Sequence, residues 1–95
     1  MREPAGPSRP KTSPFLLIGG DVVVRLNDVV AILDQHACEA APTREFLGFC
    51  RRRGQAMDLT GGEPLKAAVI CRERVFLSAF SSATLRRRTT GGAFA

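Results

Sequence analysis

The sequence predicts an α+β fold: a small, mainly antiparallel sheet with one central helix and one short C-terminal helix. Two observations carry that prediction. Leu65–Cys71 and Val75–Phe80 are strand-length apolar runs separated only by Arg72-Glu73-Arg74, the pattern of a β-hairpin. Phe46, Leu47, Phe49 and Cys50 recur at helical spacing between a proline and a glycine, which marks one amphipathic helix. A chain of 95 residues is expected to form one domain.

The elements follow in order. Residues 1–14 hold Pro4, Pro7, Pro10 and Pro14 among small and charged residues and have almost nothing to bury, so they predict a disordered tail. A single domain is expected over 15–88, with a flexible C-terminal tail over 89–95. Phe15–Ile18 forms a first strand, stopped by Gly19-Gly20. Asp21–Val24 begins a second, Arg25–Asp28 bends it, and Val29–Leu33 continues it to Asp34. Gln35–Ala41 reads as loop. Pro42-Thr43 opens the central helix, with threonine as a cap and proline tolerated in the first turn. Phe46, Leu47, Phe49 and Cys50 define its apolar face. Arg51-Arg52-Arg53 close its last turn, and Gly54 supplies a left-handed stop. Ala56–Leu59 is a short strand and Thr60–Pro64 a loop. The hairpin turn has no glycine, which favours a loop of three to five residues over a tight primed turn. Ser81-Ser82 offers an N-cap for a last helix, Ala83–Arg88, ending in Arg86-Arg87-Arg88.

Both faces of the predicted strands are apolar. Val29, Ala31 and Leu33 alternate with Val30 and Ile32; Val75, Leu77 and Ala79 alternate with Phe76 and Phe80. A sheet that is apolar on both faces must be covered on both. Two short helices are too little cover, so a second copy of the chain is expected to supply the rest, making a homo-oligomer.

Composition narrows the chemistry. The formal net charge is +5 and the isoelectric point about 10.1, which points to a polyanionic partner. The excess sits near the ends, in Arg2, Arg9 and Lys11 and in Arg86–Arg88, while 15–85 is balanced. Three cysteines, Cys38, Cys50 and Cys71, form no CxxC pair and leave an odd thiol, which fits a reducing cytoplasm. Phe15–Ile18 is too short for a signal-peptide core and nothing approaches a membrane span. His36 and Cys38 are the only His/Cys neighbours and lack the second pair a zinc site needs. Gly61-Gly62 leads into Glu63-Pro64 and not into the lysine of a P-loop. Asp21, Asp28 and Asp34 bracket strands, as turn aspartates do. The expectation is therefore no enzyme, no catalytic residue, no metal, no cofactor, no small-molecule substrate and no membrane partner.

Four segments in this order resemble a known family. They are Ile18-Gly19-Gly20-Asp21-Val22-Val23-Val24, Asp28 to Asp34, Glu45-Phe46-Leu47, and Val75 to Leu85. Together they resemble the small bacterial extracellular matrix regulatory proteins, RemA and RemB, with the RemB branch the closer match, over about 15–88. The resemblance implies a small α/β DNA-binding regulator that assembles into a ring and activates biofilm-matrix genes. In the RemA branch it also implies DNA-contacting arginines before the hairpin and in the first sheet segment. This chain has Glu63, Pro64 and Asp28 at those places, so those roles do not carry over.

The arginine clusters are the remaining functional signal. Arg51, Arg52, Arg53, Arg86, Arg87 and Arg88 are the candidate nucleic-acid contacts, expected to meet double-stranded DNA at its phosphates. Arginine at a helix end also complements the helix dipole, which needs no ligand. Without tryptophan or tyrosine the chain has no stacking platform for single strands. Two readings stand: an oligomeric DNA-binding transcriptional regulator of matrix genes, or an oligomeric scaffold of the same family that does not bind DNA.

Overall fold

The computed structural model describes residues 14–89. The expected tails fall on residues outside that range, apart from Pro14, whose carbonyl accepts a hydrogen bond from the Leu26 N–H at 2.9 Å, and Thr89, which ends the last helix.

Strands β1 (Phe15–Gly19) and β2 (Val22–Arg25) form an antiparallel hairpin. A 3₁₀ turn, Leu26–Asp28, leads into β3 (Val29–Asp34). Helices α1 (Gln35–Glu39) and α2 (Ala41–Arg52) follow, then β4 (Ala56–Asp58), β5 (Ala67–Cys71), β6 (Val75–Ser78) and α3 (Ser82–Thr89). The second sheet runs β3-β5-β6-β4. Its β3–β5 and β5–β6 pairs are antiparallel and β4–β6 is parallel, so the predicted class holds.

Each face of this sheet has its own core. Ala67, Val69 and Phe76 pack with Leu16 and Ile18 of the hairpin and Leu85 of α3. On the other face Ala68, Val75 and Leu77 pack with Cys38 of α1 and Leu47 and Cys50 of α2. The chain thus covers both faces itself. A second copy is not needed for that cover, because β1–β2 acts as a covering layer and not as part of the sheet. Gly19 lies where that layer meets the strand exit: a Cβ there would stand 3.0 Å from the Leu59 Cβ. Ser78, fully buried, ties the layers together by donating its hydroxyl to the Ile18 carbonyl at 2.6 Å.

Several local expectations change. The segment predicted as loop from Gln35 holds α1, because Asp34 accepts the Ala37 N–H at 2.8 Å and so caps a helical turn. Ala40, not Thr43, is the N-cap of α2, with no side-chain cap bond; Pro42 sits in the first turn as expected. The register of β3 shifts between Val29 and Ala31. Val30 is pushed outward, 68 % exposed, and Val29 joins Ile32 on the hairpin side while Leu33 joins the α2 side. That irregularity breaks the simple alternation. On α2 only Leu47 and Cys50 of the predicted apolar face are buried; Phe46 and Phe49 are 44 % and 49 % exposed. Each lies one residue, about 100°, from the inward line through Leu47 and Cys50.

Candidate functional site

Arg51, Arg52 and Arg53 lie at the C-terminal end of α2, all exposed. The end is a Schellman closure. Gly54, at φ +72°, donates its N–H to the Arg51 carbonyl at 3.0 Å, and Gln55 donates to Cys50 at 2.8 Å. Backbone N–H groups thus satisfy the Phe49, Cys50 and Arg51 carbonyls, and the three guanidinium groups take no part in the cap. Arg53 stacks on Phe49, 5.4 Å from the ring centroid. Arg51 lies near Asp58. The Asp58 carboxyl is held below its ordinary pKa chiefly because the Thr60 hydroxyl and N–H donate to it, at 2.7 and 2.9 Å, with the Arg51 charge adding to this. The Arg52 side chain has no hydrogen bond or ion pair among the described residues.

The second cluster is built differently. Ser81 caps α3 by accepting the Thr84 N–H at 3.1 Å, as the sequence predicts. Arg86 then donates to the Ile32 carbonyl at 2.6 Å. Arg88 donates to the Leu17 carbonyl at 3.1 Å and stacks over Phe80 at 4.8 Å. Arg87 is exposed. Two of the three arginines therefore fasten α3 to β3 and β1. The clusters also lie on opposite faces of the four-stranded sheet and are not brought together.

The fold gathers three other arginines that are scattered in sequence. Arg25, Arg72 and Arg74 line an open groove of about 480 Å³, with Asp28 and Glu73 also on its rim. Its apolar lining includes Val24, Cys71 and Phe76. The signal was the strand register: pairing of Val29 with Cys71 sets the residues before β3 beside those after β5. The Arg72 N–H accordingly bonds the Asp28 carbonyl at 3.0 Å. Seeing this required knowing that β3 and β5 are neighbours.

The cysteines are free thiols. Burial pushes the Cys38 and Cys71 thiols up, and the nearby Asp28 charge adds to the effect at Cys71. His36 is exposed while Cys38 is buried beneath α1. Among the described residues, no group of three or more His, Cys, Asp or Glu side chains could hold a metal ion. None of the helices among them is long and apolar enough to cross a membrane. Glu63 and Pro64 are exposed in the loop before β5.

A family model described as extracellular matrix regulatory protein A-like, RemA-like, matches residues 15–89. The chain belongs to the RemA-like family. The match starts with β1 and ends with α3, so both covering layers of this RemA-like domain lie inside it. No curated protein matches the chain.

Proposed function

We propose that this RemA-like chain is a cytoplasmic, oligomeric, DNA-binding transcriptional regulator of extracellular-matrix genes, of the RemB branch, and that it acts without catalysis. The observation that carries the DNA-binding step is the end of α2. The guanidinium groups of three consecutive arginines take no part in the backbone cap, and one of them, that of Arg52, has no partner among the described residues. Guanidinium groups in that condition are available to phosphates. Self-association is supported by large apolar side chains left in solvent, Phe46 and Phe49 on α2, Met57 on the edge strand β4 and Val30 on β3.

The scaffold reading is favoured by one specific observation: Arg86 and Arg88 are engaged by carbonyls of this chain. One experiment separates the two. The full chain is titrated against duplex DNA at two salt concentrations while its mass in solution is measured. Replacing Arg51, Arg52 and Arg53 with glutamine is expected to weaken binding to all sequences alike and to make the salt slope shallower by about 2.7, roughly 0.9 for each phosphate no longer neutralised. Wild-type protein that assembles but binds no duplex at low salt overturns the DNA-binding step and leaves the scaffold.

A further inference from the structure

We propose that Arg25, Arg72 and Arg74 form a groove that holds the phosphodiester backbone of duplex DNA, a contact separate from the end of α2. The inference rests on the DNA-binding reading and deepens it by naming where a second stretch of backbone lies.

Three observations carry it. The first is supply. Unlike Arg86 and Arg88, none of these three side chains has a hydrogen bond or ion pair among the described residues. Guanidinium groups with nothing to release gain most from a phosphate. The second is placement. Arg25 comes from the end of β2, and Arg72 and Arg74 from the β5–β6 loop, so the charges flank the groove from two separate elements. The groove is open to solvent, so a backbone can approach the charges from outside. The third is the lining. Val24, Cys71 and Phe76 line the same groove as the charges, and low-dielectric walls strengthen the field of charges beside them.

The same groove holds its own opposing charge. Asp28 and Glu73 share the rim, and the Asp28 charge is felt at the Cys71 thiol. Two carboxylates against three guanidinium groups leave a small positive excess, so affinity here is limited by the acids as well as made by the arginines. That gives the proposal a prediction of opposite sign: neutralising Asp28 should tighten binding. A mere loss of folding cannot produce that result.

The test uses the full chain, a short fluorescent duplex and two salt concentrations, with melting followed in parallel. The Arg25→Gln, Arg72→Gln, Arg74→Gln triple variant is expected to bind all sequences more weakly, with a salt slope shallower by about 2.7. The corresponding triple lysine variant is expected to recover most of the slope, because lysine keeps the charge without the fork. Asp28→Asn is expected to raise affinity. If the triple glutamine variant melts early, Asp28→Asn and the three single glutamine variants decide. Wild-type affinity in the folded glutamine variants, or no gain with Asp28→Asn, overturns the groove while the DNA-binding reading stands. A wild type that binds no duplex overturns both and is recognised from that arm alone. Protein that holds inorganic phosphate but not duplex also overturns the proposal, since it assigns the groove to a free anion.

Discussion

Replacing Arg88 with methionine separates a charge that holds the fold from a charge that could meet DNA. Methionine keeps an apolar stem but loses the charge and the donors. Arg88 is half-buried, bonds the Leu17 carbonyl at 3.1 Å and covers Phe80 at 4.8 Å. A hydrogen bond from a charged group contributes about 1.5–3 kcal/mol, and partial solvent access puts this one near the lower end. A cation over an aromatic face at such a site adds about 0.5–1 kcal/mol. The two together give a loss of about 2 kcal/mol. For a domain of this size each kcal/mol shifts the melting temperature by about 4–8 °C, so Arg88→Met should lower it by about 8–16 °C. Arg52→Met is the control, because Arg52 is exposed and without a partner among the described residues. It should change stability by no more than about 0.5 kcal/mol.

Calorimetry and urea titration measure both variants, and duplex binding is followed below the melting range. Folded Arg88→Met should bind as wild type does. The reasoning fails if Arg88→Met melts like the Arg52 control while its duplex affinity falls. That outcome would make Arg88 a phosphate contact and its bond to Leu17 incidental.

Two further outcomes follow from buried and capped groups. Ser78→Ala should cost about 2–3 kcal/mol, seen as a lower urea midpoint at unchanged slope. It leaves the Ile18 carbonyl without its donor and the Phe80 N–H, 3.0 Å from the hydroxyl, without its acceptor. Thr60→Val should raise the Asp58 pKa toward its ordinary 3.8, read by carbon NMR of the carboxyl group. Because the folded-state pKa is depressed, the stability Asp58 contributes is present above the unfolded value and lost as pH falls through the folded one. The variant should therefore show a flatter stability profile below about pH 4.

The fold was legible where local chemistry acts alone. Gly54 ends α2, Ser81 starts α3, and the glycine-free Arg72–Arg74 loop joins β5 to β6, each where residue types place it. It was not legible where a tertiary choice overrides the pattern. Nothing local says that the helix α2 turns Leu47 and Cys50 inward and leaves Phe46 and Phe49 out, because both pairs have the same spacing. Nor does a run such as Val29–Leu33 announce the irregularity that ejects Val30, since valine fits either face. The largest difference is β1–β2, which the apolar pattern assigns to the sheet and the fold lays across it. Short strands in sequence look the same whether they extend a sheet or cover one.

The same limit governs charge, and there it bears on function. Arginine triplets attract notice because they are adjacent in sequence, but adjacency says nothing about what each guanidinium meets. In α3 the triplet follows Leu85, which is fully buried, and Arg86 and Arg88 reach backbone carbonyls of β3 and β1. Two of them become structural clamps for that reason. In α2 the triplet forms the end of the helix, which the N–H groups of Gly54 and Gln55 close, and its three side chains are exposed. Arg25, Arg72 and Arg74 are inconspicuous in sequence, each beside or near an acidic or polar residue, and only the pairing of β3 with β5 collects them. Net charge measured over the whole chain therefore overstates what a polyanion can reach at α3 and misses what it can reach at the groove. The number of guanidinium groups without internal partners, by position on the fold, is the quantity that affinity and salt slope should follow. That number directs mutagenesis first to Arg52 and the groove, and makes Arg86 and Arg88 tests of stability.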